Sequence, residues 1–182
     1  LEEGADLVLT ALRLAAACER GLRLGDARGA LERALRVAPG DPAVRSKLRA
    51  VYVATGAKRE LASLILEDAA AAADVAGRFT QLLEAGRLLL DSGDDAERAA
   101  QVLEEARALC PGELVGSLLL ADAYTQARRS DAAVSLLAQA AGAYKGRRSR
   151  ELSAIHHRIA RAFRAVTLMK APPAGDPQPP VS

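Results

Sequence analysis

Turn signals recur at near-regular intervals along this chain of 182 residues and divide it into short helical segments. The first set is Gly25-Asp26, Gly56-Ala57, Gly93-Asp94 and Arg128-Arg129, spaced by 31, 37 and 35 residues. A second set alternates with it: Pro39-Gly40-Asp41-Pro42, Asp74–Gly77, Pro111-Gly112 and Lys145-Gly146. A fixed period of roughly 20–50 residues marks architectures built from repeated supersecondary units. The pattern therefore predicts helix, turn, helix and loop, four times over.

Between these breaks, apolar residues follow the three- and four-residue steps of amphipathic helices. The clearest stripes are Ala99, Leu103, Ala106 and Leu109; Leu114, Leu118, Ala121 and Tyr124; and Ala133, Leu137, Ala140 and Tyr144. Asp41 also marks a helix start, because it can cap a helix whose first residue is Pro42. A helix pair of this size cannot bury its apolar faces alone, so we expect neighbouring pairs to stack into an α-solenoid.

Composition favours an all-α chain. Ala (41) and Leu (28) are helix formers, whereas Ile, Phe, Tyr and Trp together number eight. Half of the residues are apolar, which is enough for a folded core. No apolar run reaches the 18 or so residues of a membrane-spanning helix. Arg outnumbers Lys 21 to 4, which suggests a GC-rich, bacterial genome.

The repeating units resemble the tetratricopeptide repeat (TPR). In residues 114–147 the matching positions are Leu120, Ala121 and Tyr124 in the first helix, and Ala133, Leu137 and Ala140 in the second. Partial matches in the other units are Gly25-Asp26 with Ala30 through Pro39; Leu48, Tyr52 and Gly56; and Gly86, Gly93-Asp94, Ala99, Leu103, Ala106 and Pro111. The sequence departs from the family at Arg49, where a small residue is expected, and in lacking the early aromatic of each first helix.

This resemblance covers roughly residues 8–147 and implies a right-handed α-solenoid of about four helix-turn-helix repeats. Sel1-like and HEAT-type repeats stay open as alternatives for the weaker units. Residues 148–170 carry one more apolar stripe, which we interpret as a C-terminal capping helix that completes a domain at 1–170. Residues 171–182 contain five prolines and are predicted to be a disordered tail. The start at Leu1 rather than Met suggests a fragment or a processed chain.

The sequence contains no pattern of catalytic residues. It has no phosphate-binding Gly-rich loop, no Walker lysine, no His-Glu-x-x-His and no nucleophile elbow, so we expect neither an enzyme nor a cofactor. Asp94, Asp95 and Glu97 are interpreted as acidic residues favoured near a helix N-terminus, and no metal site is predicted. His156 and His157 point about 100° apart on a helix and cannot share a metal from one face.

The two cysteines are also predicted to be structural. Cys18 falls in a small-residue position of the first unit and is expected to be buried. A disulfide between Cys18 and Cys110 would have to connect units far apart along the chain, which the geometry of the bond opposes.

The resemblance implies a concave groove lined by the first helices of successive pairs, suited to an extended peptide or a partner helix. The predicted inward positions are Glu19, Arg23, Ser46, Ala50, Val53, Arg87, Asp91, Leu118, Asp122, Thr125 and Gln126. The Lys/Asn arrangement with which some family members clamp a terminal carboxylate is missing. We therefore expect a non-catalytic scaffold or adaptor for a protein or peptide, without inferring chaperone C-terminal peptides as ligands.

Basic residues near the C-terminus give an alternative hypothesis. Residues 145–170 carry a net charge of +7, against −4 for residues 1–144. The predicted patch is Lys145, Arg147, Arg148, Arg150, Arg158, Arg161 and Arg164. It could bind nucleic acid, another anionic surface or an acidic protein through electrostatic attraction. The same spacing also fits the solvated face of a cap, and no aromatic residues are interleaved for base stacking.

Two further expectations concern the oligomeric state and the cellular location of the protein. An uncapped first unit leaves apolar surface open, which could promote a homodimer. A cytoplasmic location is favoured, although the start of the chain leaves a signal peptide open.

Overall fold

The structure is a computed structural model that describes residues 2–21, 23–144 and 149–170, with side chains described at 6–18, 21, 23–143 and 150–165. All secondary structure within these ranges is α-helical. The chain divides into two compact units, Leu1–Asp95 and Ala96–Ser182. Unit 1 contains α1 (Glu2–Arg20), α2 (Leu24–Val37), α3 (Pro42–Thr55), α4 (Lys58–Ala71) and α5 (Val75–Ser92). Unit 2 contains α6 (Ala96–Leu109), α7 (Leu114–Gln126), α8 (Ser130–Tyr144) and α9 (Ser149–Lys170).

Helices that are neighbours in sequence pack against each other within each unit. In unit 1 the contacts run from α1 to α5 in order, and α1 also contacts α3. In unit 2 they run from α6 to α9 in order, and α7 also contacts α9. A first helix that contacts both its own partner and the next first helix is the packing of stacked helix pairs. The predicted all-α repeat architecture is therefore confirmed.

Leucine and alanine fill the core of both units, as the apolar stripes predict. Among the described residues, the largest fully buried side chains are Leu31, Leu48, Ile65, Leu89, Val44 and Val51 in unit 1, and Leu103, Leu120, Leu137 and Ile155 in unit 2. Cys18 is buried as expected, whereas Leu118 is only partly buried. Small Ala residues between the leucines allow the close approach of neighbouring helices.

Local signals set the helix ends. The Asp41 carboxylate accepts hydrogen bonds from the backbone N–H groups of Ala43 and Val44, both at 2.9 Å, with Pro42 as the first helical residue. Gly56 ends α3 with a φ of 67°, in the left-handed region that favours glycine. Arg128 follows α7 and has a φ of 60°, so it adopts the same left-handed region. Unlike glycine, it carries a Cβ atom, which makes this conformation unfavourable.

The predicted position of the first turn is wrong. Helix α2 already begins at Leu24, so Gly25 and Asp26 lie in its first turn. The turn between α1 and α2 lies before Gly25, where the backbone N–H of Arg23 donates to the Cys18 carbonyl at 2.8 Å. Three further predictions lie outside the described residues: the Lys145-Gly146 break, the start at Leu1 and the tail at 171–182. The boundaries of the proposed 1–170 domain accordingly stay a prediction.

The two units share one register. Equivalent residues in α2–α4 and α6–α8 are 72 positions apart, as in Glu32 and Glu104, Pro39 and Pro111, Leu48 and Leu120, and Tyr52 and Tyr124. In each case the tyrosine carbonyl accepts from the backbone N–H five residues later, at 2.9 Å for Tyr52 and 2.7 Å for Tyr124. This register allows positions in the two units to be compared one by one.

Candidate partner-binding surface

Helix α3 exposes one face along its length in unit 1. Ser46, Ala50 and Val53, spaced by four and three residues, are all exposed, and Val53 is 65% exposed. Val53 is therefore an apolar side chain that the fold leaves in contact with water. Single exposed apolar residues are ordinary, but this one lies on a face that the sequence predicts for partner binding.

Helix α5 adds exposed charge in unit 1. Arg87 and Asp91 are exposed, and no ion pair of either side chain is found among the described residues. The Lys58 ammonium donates to the backbone carbonyl of Asp91 at 3.1 Å and is not paired with its carboxylate. We call Ser46, Ala50, Val53, Arg87 and Asp91 the unit 1 surface. It contains an apolar contact, a cation and an anion.

The remaining predicted residues of unit 1 contribute less. Arg23 is exposed, but its guanidinium is engaged by Asp26, with a distance of 2.7 Å from Nε to Oδ2. Glu19 lies in α1, and its side chain is outside the described residues.

In unit 2 the terminal helix engages the predicted groove residue Asp122. Its carboxylate accepts from Arg158 Nε at 3.0 Å and from Arg161 Nη2 at 2.5 Å, and its side chain is only 15% exposed. Thr125 donates its hydroxyl to the Ala121 carbonyl at 2.8 Å, while Gln126 is exposed. Asp122 therefore connects α7 to α9 through these two hydrogen bonds.

The same contact reduces the uncompensated positive charge of the predicted basic patch. Arg158 and Arg161 share the carboxylate of Asp122, so part of their positive charge is compensated within the unit. Arg150 and Arg164 are exposed. Arg147 and Arg148, and also Lys145, lie outside the described residues. One predicted groove residue, Asp122, and two residues of the predicted basic patch, Arg158 and Arg161, thus form a single ion-paired cluster.

Sequence reasoning missed a tyrosine–glutamate–arginine cluster in unit 1. The Tyr52 hydroxyl donates to Glu32 at 3.0 Å, and Arg28 donates to Glu32 and to Glu60, both at 2.7 Å. The Arg28 guanidinium also lies over the Tyr52 ring, 5.3 Å from its centroid. Burial and the bond to Glu32 raise the pKa of Tyr52 to about 12, and the Arg28 hydrogen bond lowers the pKa of Glu60. The cluster joins α2, α3 and α4.

Unit 2 contains the equivalent cluster with a different arginine. Tyr124 donates to Glu104 at 2.7 Å, and Arg129 lies 4.5 Å from the Tyr124 ring centroid. Burial, followed by the bond to Glu104, raises the pKa of Tyr124. In both pairs the glutamate lies 20 residues before the tyrosine. This shared separation is the signal that could have revealed the two pairs. These hydrogen bonds connect neighbouring helix pairs, α2 with α3 and α6 with α7.

A second difference between the units concerns Arg45. Its guanidinium donates to the carbonyls of Pro39 and Leu64, both at 2.9 Å, and to Asp68 at 2.6 Å and Glu67 at 3.1 Å. Arg49, which departs from the repeat pattern, donates to the same Asp68 at 2.8 Å. Residue 117 is the equivalent of Arg45 in unit 2 and is a serine. A cavity of about 140 Å³ lies there, with Ser117, Pro111 and Leu136 in its wall.

The described residues offer little chemistry beyond these contacts. No group of three or more His, Cys, Asp or Glu side chains among them could hold a metal ion. Arg59 pairs with Asp94 at 3.2 Å and with Asp95 at 2.7 Å, which accounts for part of the acidic run. His156 and His157 are exposed, and Cys18 and Cys110 are free thiols.

Within the described ranges, no helix combines the length and the apolar content needed to cross a bilayer.

Comparison with known proteins supports the fold. Neither a protein-family model nor a curated protein matches the chain. The crystal structure of a Podosopora anserina kinesin light chain-like protein with nearly identical TPR-like repeats is similar, with a TM-score of 0.57 and 23% identity over 92% of this chain and 90% of that one. The crystal structure of a single-residue variant of that protein gives the same values. TTC0263, a thermophilic TPR protein of Thermus thermophilus, matches at 21% identity over 88% of this chain and 99% of that one, with a TM-score of 0.39.

The fold is therefore that of a TPR-like helical repeat, as the residues of the repeats predict. At this level of identity the likeness concerns the fold, and function has to be argued from the surface of this chain.

Proposed function

We propose that this protein is a non-catalytic protein-interaction module, and that the unit 1 surface binds a protein or peptide partner. Helical repeats of this kind present the first helices of successive pairs as a continuous binding surface. Two observations carry the proposal: α3 exposes Val53, and α5 exposes Arg87 and Asp91, for which no ion pair is found among the described residues.

The chemistry of this surface indicates the kind of partner. Val53 can contact an apolar side chain, while Arg87 and Asp91 can each pair with an opposite charge on the partner. A short peptide or helix with one apolar anchor and charges of both signs would satisfy all three residues. Unit 2 contributes less to the proposed contact, because α9 already engages Asp122.

The test is co-purification of the full chain with proteins from its source, followed by quantitative comparison of variants. Arg87→Glu and Val53→Asp should each reduce recovery of the same partner about tenfold or more, since each places an unfavourable group in the contact. Arg36→Glu is the matched control. Arg36 is exposed on the second helix α2, and its reversal should leave recovery unchanged. A partner recovered equally with all three variants would contradict the proposed surface.

The alternative is binding of nucleic acid or another anionic surface through α9. The pairing of Arg158 and Arg161 with Asp122 weakens this alternative, while exposed Arg150 and Arg164 keep it testable. Electrostatic binding of this type falls steeply as salt rises. A titration of duplex and single-stranded DNA at low salt therefore decides: salt-sensitive binding that Arg150→Glu and Arg164→Glu remove would favour it, and no binding would eliminate it.

A further inference from the structure

Helix α1 exposes large apolar side chains on a face that the rest of unit 1 does not cover. Leu7 is 41% exposed and Leu14 is 44% exposed, two helical turns apart. Both lie in the wall of an apolar hollow of about 350 Å³ between α1 and α2. Val8, Ala11, Ala15 and Cys18 are buried instead, and they face the interior of the unit.

The repeat register shows that this exposure is unusual for the position. The Cys18 carbonyl accepts from the N–H five residues later, as do the carbonyls of Tyr52 and Tyr124. Leu14 is therefore the equivalent of Leu48 and Leu120, each four residues earlier in its helix. Those leucines are 0% and 1% exposed. Helices α3 and α7 are packed against α2 and α6, whereas the described residues place no helix on the corresponding side of α1.

Charges beside the leucines make this face complementary to itself. Asp6 and Arg13 are exposed on its flank, seven residues apart like the leucines, and no described residue pairs with either. Two copies of α1 in antiparallel contact would place Leu7 against Leu14, and Asp6 against Arg13, twice by symmetry. Flanking charges of this kind set the orientation of paired helices. A parallel pair would bring no opposite charges together.

We propose that the protein forms a two-fold symmetric homodimer through this face of α1. Thr10 lies at the centre of the contact, between the two leucines, where a small side chain permits close approach. The same patch on both copies forms the interface, as required for a closed dimer. This surface is separate from the unit 1 surface and does not depend on the proposed partner binding.

The experiment is sedimentation velocity of the full chain over a wide range of concentration. The mass should rise with concentration from 19.0 kDa towards twice that value. Leu14→Asp should abolish the rise. Asp6→Arg and Arg13→Asp should each weaken association about tenfold or more, because each creates two like-charge contacts. The combined Asp6→Arg/Arg13→Asp variant should associate as tightly as the wild type, because both pairs are restored with reversed sign.

Two controls distinguish this interface from non-specific hydrophobic association and from misfolding. Val115→Asp, at an exposed position of α7 outside both proposed surfaces, should leave association unchanged, and circular dichroism should show the same helix content in every variant. In a Cys110→Ser background, Ala17→Cys should not form a disulfide with its own copy, because an antiparallel pair holds the two positions about 20 Å apart along the axis. A monomer at every concentration, an Ala17→Cys disulfide, or loss of association without recovery in the double variant would overturn the proposal.

Discussion

Arg45 is the side chain whose removal tests the packing of unit 1 most sharply. It is 15% exposed and holds four acceptors from the α2–α3 loop and from α4. The bond to Glu67 adds little, because that carboxylate is 61% exposed. Asp68 keeps Arg49 as a partner after Arg45 is lost. The bonds to the two carbonyls and to Asp68 then account for the effect, at roughly 1 kcal/mol each.

We therefore expect Arg45→Ala to lower the free energy of unfolding by about 2–3 kcal/mol. Urea denaturation followed by circular dichroism should show a lower midpoint at an unchanged slope. Hydrogen exchange should locate the loss of protection in α3 and α4. Arg45→Lys should recover little of the stability, since one ammonium cannot reproduce the planar fork of a guanidinium.

Unit 2 supplies the matched control for this prediction. Ser117 is buried at the equivalent position and has no guanidinium, so Ser117→Ala removes one hydroxyl and should change stability by no more than about 1 kcal/mol. The reasoning is refuted if Arg45→Ala is as stable as Ser117→Ala, or if its protection is lost in unit 2 and retained in α3 and α4.

Three further predictions concern single residues. Arg128→Gly should raise stability by about 1 kcal/mol in thermal unfolding, and Gly56→Ala should lower it by a similar amount, because both positions require a positive φ. Leu137→Ala should cost about 2–5 kcal/mol in urea denaturation, and Leu118→Ala clearly less, because only Leu137 is fully buried. In an ultraviolet titration, Tyr52 should ionise at about pH 12, and Tyr52→Phe should remove that step. Since its folded-state pKa lies above the ordinary value of 10.0, the stability it contributes is present below pH 10 and is lost as the pH rises through 12.

Features that depend on neighbouring residues could be predicted from the sequence. The cap at Asp41, the left-handed end at Gly56 and the burial of Leu137 each follow from a local pattern. The Gly25-Asp26 pair shows the limit of this approach. A glycine followed by an acidic residue suits a turn and also the first turn of a helix, and the hydrogen bond from Arg23 to Cys18 decides between them.

Contacts between distant residues could not be predicted in the same way. Asp122 is a plausible groove residue when α7 is considered alone, and only the packing of α9 brings Arg158 and Arg161 to it. Arg49 reads as a departure from the repeat until Asp68 of α4 is seen beside it. Whether a polar side chain binds a partner or its own fold depends on such tertiary pairs, and the sequence period does not contain them.

Site-specific photocrosslinking tests the proposed role of the unit 1 surface most directly. A photoreactive amino acid placed at position 53 lies on the exposed face of α3, and one placed at position 37 lies at the exposed end of α2. Irradiation of the full chain in its source should give one protein adduct from position 53 and none from position 37. The same adduct from position 37 alone, with none from position 53, would show that the partner binds elsewhere.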